Sequence, residues 1–294
     1  MPFLIGNSAR TATQPSDIQD DETFTFGHGG SGYLLSKGAM AEFVGKHPAV
    51  ANEYDVLARE ECCGDYVFAR ALKDKTGLSV QQSWPTMNGE KPSTLPFVPS
   101  HWCHPIVTMH HMGADEINTF WHFERRHHEQ HQQGAWRPLL LRDIYHDFVA
   151  PHLSNSDGRR RARTGTTWRP TASTWTRAGP ATGPNIMILI IIYPAWQLNR
   201  THPLAEQTEP ERAAPRSPAD CAAACRALPA GEYFRYKYAD GACSVAASFA
   251  LGRPAETAKR TVSGWEVDRI RDWVRRQGGC AAVEWPAVER GDGI

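Results

Sequence analysis

The spacing of the cysteines constrains the fold of this chain more than any other feature. Of seven cysteines, four lie within 60 residues near the carboxyl end, at Cys221, Cys225, Cys243 and Cys280. Such a density in a small unit is typical of disulfides. Zinc is the alternative because Cys221 and Cys225 have near-ligand spacing, but 36 residues separate Cys243 from Cys280. The pattern therefore favours a disulfide-rich module over a zinc site.

Residues 1–152 have a different pattern, in which short apolar runs alternate with helical spacing, as in α/β folds. The stretch "PFLIGN" predicts the end of a strand, and residues 36–44 and "GDYVFARALKD" predict helices. Alternation in "HPIVTMHHM" predicts a strand with His110 and His111 on opposite faces. Helical spacing follows this strand and returns in "RPLLLRDIYHDFVAP".

Residues 153–216 lose this periodicity and are rich in Arg, Thr, Pro, Ala and Gly. We expect a linker or disordered segment here, or an insert caused by an error in the gene structure. Its apolar run "IMILIIIYPAW" is about half the ~20 residues that a membrane helix needs. Residues 217–286 form the cysteine-rich module, in which "EYFRYKYADGAC" predicts a strand and turn and a final helix ends at Gly278. Residues 287–294 form a tail.

The charge balance excludes one class of partner. Lys and Arg together number 32, as do Asp and Glu, so the chain lacks the net positive charge that attracts proteins to nucleic acids or anionic membranes. We expect no nucleic-acid partner. The first residues, "MPFLIGNSARTATQ", contain no basic start followed by an apolar core, so we predict no targeting signal in this chain.

The glycine-rich stretch "FGHGGSGYLLSKGAM" is the first candidate for a site. It lacks the Gly-Lys-Ser/Thr sequence of a phosphate-binding loop, and glycine follows Ser31 by one residue where a nucleophile elbow requires two. A serine hydrolase is therefore a weak alternative. The best interpretation is a tight backbone turn beside a sugar pocket, followed by a helix from Ser36, and the alternative is a turn with no function.

Four stretches together resemble a known family: "GHGGSGYLLSKGAM", "EECCGDYVFARAL", "CHPIVTMHHMGADEINTFWHFE" and "RPLLLRDIYHDFVAP". About the first 150 residues are similar to the fringe-like and core 1 β1,3-galactosyltransferase-like enzymes of glycosyltransferase family 31, especially the fungal members. The resemblance implies an α/β GT-A (Rossmann-like) domain, of which residues 1–152 would be the acceptor-side half. The module at 217–286 resembles a PAN or Apple-like α+β domain.

The resemblance also implies a reaction and its residues. The family transfers a hexose, here expected to be galactose, from a UDP-sugar to a glycan or glycoprotein acceptor with inversion, and uses Mn²⁺. Asp65 resembles the general base, although a carboxylate at that position is also typical of a helix cap. His110 resembles a metal ligand, with His111 as its competitor. The substrate pocket would include Gly29, Gly30, Ser31, Gly32 and Tyr33.

All seven cysteines are disulfide candidates. By resemblance, Cys62 or Cys63 pairs with Cys103, and the other of the first two stays unpaired. The connectivity of Cys221, Cys225, Cys243 and Cys280 stays open.

The Asp-x-Asp that holds Mn²⁺ in this family has no match in this chain. Asp21, in "DDETF", lies only eight residues before Gly29, whereas tens of residues separate the two motifs in the family. We therefore expect that the chain begins inside the catalytic domain, lacks the family's amino-terminal anchor and is inactive as written. In full length such an enzyme would be a type II membrane protein of the Golgi or secretory lumen. The main alternative is a non-catalytic protein that binds protein or glycan through the PAN or Apple-like module.

Overall fold

The computed structural model describes residues 2–10, 24–61, 63–131, 137–154, 161–162, 166–167, 174–176, 207–229, 233–239, 241–254 and 261–286. The fold is mixed α/β with small sheets. The strands are β1 (Leu4–Gly6), β2 (Ser8–Arg10), β3 (Thr25–Gly27), β4 (Tyr33–Leu35), β5 (Val80–Gln82), β6 (Arg161–Ala162), β7 (Thr166–Thr167), β8 (Thr174–Thr176), β9 (Arg235–Ala239), β10 (Ala242–Ala246), β11 (Arg253–Pro254) and β12 (Thr261–Trp265). The helices are α1 (Lys37–Met40), α2 (Val50–Glu53), α3 (Asp55–Glu60), α4 (Gly64–Thr76), α5 (Ala114–His131), α6 (Leu141–Ile144), α7 (Ala150–Ser154), α8 (Glu209–Ala213), α9 (Pro218–Ala227) and α10 (Val267–Gln277).

The first sheet has the strand order β4-β1-β5, in which β1 is antiparallel to β4 and parallel to β5. Because parallel strands end at the same edge of a sheet, the residues that follow Gly6 and Gln82 lie side by side there, and Ser83 N–H donates to the Gly6 carbonyl at 2.9 Å. This edge is where ligands bind in open α/β sheets. The strand predicted in "PFLIGN" corresponds to β1.

Helix α4 packs against this sheet through the apolar stripe that the sequence predicts. Val67, Ala71 and Leu72 are buried, and Leu72 joins Leu4 in one hydrophobic cluster. The helix ends at Gly77, whose φ of 73° is left-handed and whose N–H donates to the Lys73 carbonyl, as at many helix ends. The first turn of α4 therefore has a fixed place beside the strands.

The largest hydrophobic core is shared between the two parts of the chain. Its buried members come from two ranges that are far apart in sequence: Leu95, Phe97, Trp102, Ile106, Phe123, Leu141, Ile144, Tyr145, Val149 and Leu153, and then Phe234, Phe249, Val267, Ile270 and Trp273. Phe97 stacks on Phe249 with ring centroids 5.3 Å apart, and Trp102 meets Trp273 edge-on at 5.3 Å. The predicted α/β half and the cysteine-rich module therefore pack around one core.

The carboxyl-terminal sheet has the order β6-β12-β9-β10-β8 and contains the predicted strand, which is β9, and the predicted turn. Strands β9 and β10 are antiparallel, and Gly241 between them has a φ of 79°. Three strands from the predicted linker, β6, β7 and β8, pair with strands of the module. Most of the remaining linker, including "IMILIIIYPAW", lies outside the described residues.

The disulfides differ from the predicted connectivity. Cys103 pairs with Cys280, 177 residues away, so the pairing of Cys103 with Cys62 or Cys63 is wrong. The shared core explains this, since it brings the end of α10 beside the loop that carries Cys103, and Trp102 Nε1 donates to the Gly278 carbonyl at 3.2 Å. Cys63 is disulfide-bonded, and Cys62 lies outside the described residues.

Within the module only part of the disulfide prediction is confirmed. Cys221 pairs with Cys243, which removes the zinc alternative for Cys221. Cys225 is a free thiol instead of a disulfide partner, and it is fully buried one helical turn after Cys221. Burial raises the pKa of the Cys225 thiol to about 12, so it stays protonated and unreactive in the folded protein.

The expectation of a strand at 104–112 is wrong. Residues 104–112 form no strand, because Pro105 and Thr108 each make a single bridge to a different neighbour, Leu140 and Met87, and no continuous ladder develops. Among the described residues, no helix is both long enough and apolar enough to cross a membrane.

Candidate functional site

The glycine-rich stretch forms a tight turn between β3 and β4. Gly29–Ser31 is a single 3-10 turn, and the next residue, Gly32, has a φ of 78° that a residue with a side chain rarely adopts. The side chain of His28 caps this turn, because its Nδ1 accepts a hydrogen bond from Ser31 N–H at 3.2 Å. The turn lies at the sheet edge where β1 and β5 end.

Asp65 lies directly against this turn. It is in the first turn of α4 and is partly buried, and its Oδ2 accepts a hydrogen bond from Gly29 N–H at 2.8 Å. Its Oδ1 accepts from Tyr66 N–H at 2.9 Å. The residue at the helix cap is Cys63, so Asp65 is not the cap that the alternative interpretation proposed. Its carboxylate still interacts favourably with the amino-terminal end of the helix.

His110 completes one side of the site. The His110 ring fills the space beside Gly30. A Cβ atom at position 30 would overlap His110 Nε2 and lie 2.6 Å from His110 Cε1. The ring of His28 meets the ring of His110 edge-on, with centroids 5.0 Å apart. The structure therefore brings together Gly29, Gly30, Ser31, Gly32, Asp65 and His110, which the sequence predicted as site residues.

His111 does not face away from His110 as the strand prediction required. The centroids of the His110 and His111 rings are 4.0 Å apart. The φ of His111 is 59°, a left-handed conformation that is uncommon for a residue other than glycine. This reversal of the backbone ends the alternation of faces. It also adds His111 to the group of histidines beside Asp65, and strained residues of this kind are frequent at functional sites.

The electrostatics keep His28 and His110 neutral. Burial lowers the pKa of His28, Asp65 acts in the opposite direction, and His111 lowers it further. Burial also lowers the pKa of His110, with smaller contributions from His111 and His28, while a hydrogen bond to the Gly89 backbone raises it. Because the pKa values of His28 and His110 lie below the usual 6.5, both imidazole rings are uncharged near pH 7.

Tyr33 takes part in the site less directly than predicted. Its ring stacks on Phe68 of α4 at 5.3 Å and packs against the hydrophobic cluster around Leu72. Burial raises the pKa of the Tyr33 hydroxyl, and the negative charge of Asp65 adds to this effect. Tyr33 is half-buried and lies between the site and the core.

The residues of the site do not form a metal centre. Across the described ranges, no three His, Cys, Asp or Glu side chains are arranged to hold a metal ion. His110 has its Nε2 edge against the backbone of Gly30, which leaves that nitrogen poorly placed for ligation. The use of Mn²⁺ therefore stays a prediction from the family resemblance, with no ligand set identified among the described residues.

Two residues of the site were missed by the sequence analysis. Asn7 is fully buried, and its Nδ2 donates to Ser31 Oγ at 3.2 Å, while His28 Nδ1 lies 2.6 Å from the same oxygen. The contact between His28 and Ser31 resembles a nucleophile with its base, but Ser31 is only 1% exposed and is out of reach of a substrate. No sequence signal identified His28, because histidine is not among the residues that commonly cap a helical turn.

Comparison with protein-family models, with curated proteins and with solved structures returned no match for this chain. What the site does must therefore be inferred from its own residues.

Proposed function

We propose that the site is the acceptor side of an inverting β1,3-glycosyltransferase, which transfers a hexose, in our proposal galactose, from a UDP-sugar to a glycan or glycoprotein. The observation that carries this proposal is the carboxylate of Asp65, held by the amide of Gly29 at 2.8 Å next to a glycine turn at the sheet edge. A fixed carboxylate beside an open backbone turn suits the deprotonation of a sugar hydroxyl. The sequence resemblance supports the class of reaction.

In the proposed reaction Asp65 accepts the proton of the acceptor hydroxyl. The oxygen attacks the anomeric carbon of the donor sugar, the bond from that carbon to the UDP oxygen breaks, and UDP leaves with the electron pair. A carboxylate offers about four lone-pair positions. The amides of Gly29 and Tyr66 occupy one on each oxygen, so others remain for the hydroxyl.

The surroundings of Asp65 suit a base. Because the pKa values of His28 and His110 are lowered, both rings are uncharged near pH 7 and do not neutralise the carboxylate through an ion pair. Mn²⁺, if the enzyme uses it, would stabilise the departing diphosphate. The disulfides of Cys103 with Cys280 and of Cys221 with Cys243 suit the oxidising lumen of the secretory pathway, where we propose that the protein acts.

The test is a transfer assay on the purified chain with UDP-galactose and other UDP-hexoses, Mn²⁺, and saccharide acceptors that have a free 3-hydroxyl. We expect a β-linked product by proton NMR, and we expect Asp65→Asn to lower turnover by about 10²- to 10⁴-fold through loss of the base. Asp115→Asn is the matched control, because Asp115 is also in the first turn of a helix but is exposed and far in sequence from the site. Turnover within about three-fold of the unsubstituted chain in Asp65→Asn would contradict the role of this residue.

Binding without turnover would favour a different function. If no donor is consumed, and glycans bind equally well to the unsubstituted chain and to Asp65→Asn, the proposal of catalysis fails. The non-catalytic alternative, recognition of glycan or protein through the PAN or Apple-like region, would then account for the result. The whole chain is needed for this comparison, since the module shares its core with the first part.

A further inference from the structure

A buried chain of polar groups lies beneath the glycine turn. Asn7 is 0% exposed and Ser31 is 1% exposed, and the Asn7 side chain donates from Nδ2 to Ser31 Oγ at 3.2 Å. Ser31 Oγ in turn lies 2.6 Å from His28 Nδ1, and the backbone N–H of Ser31 points to the same nitrogen at 3.2 Å. The backbone is tied in as well, because His28 N–H donates to the Asn7 carbonyl at 2.8 Å.

These contacts define where the hydrogens are. Asn7 Nδ2 is a donor, so Ser31 Oγ accepts from it and keeps its own hydrogen for His28. The N–H of Ser31 is shared between the His28 carbonyl at 3.1 Å and His28 Nδ1 at 3.2 Å, so an unprotonated Nδ1 can accept from both the N–H and the hydroxyl of Ser31. We assign the proton of the uncharged ring to Nε2, because Nδ1 then accepts from both groups of Ser31. In this tautomer every contact between His28 and Ser31 has a donor and an acceptor, while Asn7 Oδ1 is buried without a partner among the described residues.

The other side of the same turn contacts Asp65. The turn contains only Gly29, Gly30 and Ser31, and its first N–H, that of Gly29, donates to Asp65 Oδ2. Without a cap at its third residue, a turn with two consecutive glycines has many alternative backbone conformations. Two backbone bonds hold the turn, from Ser31 N–H to the His28 carbonyl at 3.1 Å and from Gly32 N–H to the Gly29 carbonyl at 3.0 Å. The bond from Ser31 N–H to His28 Nδ1 adds a side-chain restraint on the direction of the Gly29 N–H.

We propose that His28 is a positioning residue, whose Nδ1 holds the turn so that the Gly29 N–H orients the carboxylate of Asp65. The inference rests on the proposed function only in taking Asp65 as the base. The hydrogen bonds themselves can be measured whether or not the chain transfers sugar.

The test combines amide hydrogen exchange with turnover in His28→Ala and His28→Asn. Asparagine is a good cap and its Oδ1 can accept from the Ser31 N–H, whereas alanine cannot. We expect His28→Ala to speed exchange at Gly29 and Ser31 by at least about ten-fold and to lower kcat more than it raises KM. His28→Asn should restore most of both properties. His122→Ala, at an exposed position on α5, should change neither.

Each outcome has a defined meaning. If exchange at Gly29 is unchanged in His28→Ala, the turn does not depend on His28 and the proposal is wrong. If His28→Asn restores exchange but not kcat, His28 contacts the substrate itself and is not a positioning residue. If His28→Ala does not fold, His28→Asn decides, because fast exchange at Gly29 in that folded variant contradicts the proposal. If no variant transfers sugar, the exchange data still test the positioning role, and only the proposed function fails.

Discussion

At the scale of single residues, His101 makes the stability of the protein depend on pH. Its side chain is buried against Trp84, with ring centroids 4.4 Å apart, and burial together with the charge of His104 lowers the pKa of His101 to about 4. The unfolded chain, with a pKa near 6.5, binds more protons than the folded one between pH 4 and 6.5. The free energy of unfolding should therefore fall as the pH falls through this window.

The substitution His101→Gln tests this dependence. The contribution of one such histidine is on the order of 3 kcal/mol between pH 7 and pH 4, so the substitution should flatten the acid side of the stability profile. Urea unfolding at several pH values measures it, and the slope is compared with that of His152→Gln, at an exposed position. An equal slope in both variants would show that His101 is not responsible.

The residues of the site were predictable to different degrees. Asp65 and the glycines were predicted because their motifs are contiguous in sequence and resemble a family pattern. Asn7 was not, because it reaches Ser31 from 24 positions away and nothing in a short strand indicates such a contact. The predicted placement of His110 and His111 on opposite faces was wrong, because the left-handed conformation of His111 leaves no periodic signal in the sequence.

At the scale of elements, Arg269 connects three pieces of the carboxyl-terminal part. Its guanidinium donates to the carbonyls of Cys225, Arg226 and Leu228 at the end of α9, and to that of Tyr233 before β9, at 2.7 to 3.2 Å. A planar cation is well suited to several carbonyls at the end of a helix, where its charge also complements the helix dipole.

Replacing Arg269 should therefore destabilise the protein. We expect Arg269→Ala to lower the free energy of unfolding by about 2–3 kcal/mol, since charged hydrogen bonds to the backbone are lost. Arg269→Lys should recover less than half of this, because one ammonium group cannot reach four carbonyls. Arg276→Ala, on the exposed side of the same helix, should cost less than about 0.5 kcal/mol by urea unfolding. Full recovery in the lysine variant would indicate that charge alone matters.

The elements that the sequence predicted well are those defined by local contacts. Helix α4 and the hairpin of β9 and β10 follow from periodicity and a turn glycine, which act within a few residues. The predicted strand at 104–112 failed because strands require partners, and its neighbours in space offer only single bridges. Alternating side chains alone do not supply those partners.

At the scale of the whole molecule, the disulfide between Cys103 and Cys280 joins the two parts around their common core. In the chain-entropy account, a cross-link that closes a longer loop stabilises more, although other effects reduce the difference. The disulfide of Cys103 and Cys280 closes a loop of 177 residues, whereas that of Cys221 and Cys243 closes a loop of 22. Periodicity and cysteine spacing could not predict this bond, because its partners lie in segments of different character.

We therefore predict that the double substitution of Cys103 and Cys280 by alanine lowers the free energy of unfolding by about 2–5 kcal/mol. The double substitution of Cys221 and Cys243 should cost up to about 2 kcal/mol less through its shorter loop. Urea unfolding followed by tryptophan fluorescence and by circular dichroism measures both. Because the core is shared, the two signals should change together, and separate transitions would contradict a common core.

The shared core also determines when this protein can become folded during its synthesis. Leu153 and the aromatic residues before it leave the ribosome about 120 residues earlier than Trp273, which completes their packing. At roughly 5–20 residues per second, these apolar side chains wait on the order of ten seconds for their partners. We infer that the nascent chain depends on chaperones during this interval, and that a ribosome stalled before residue 234 would carry an aggregation-prone intermediate.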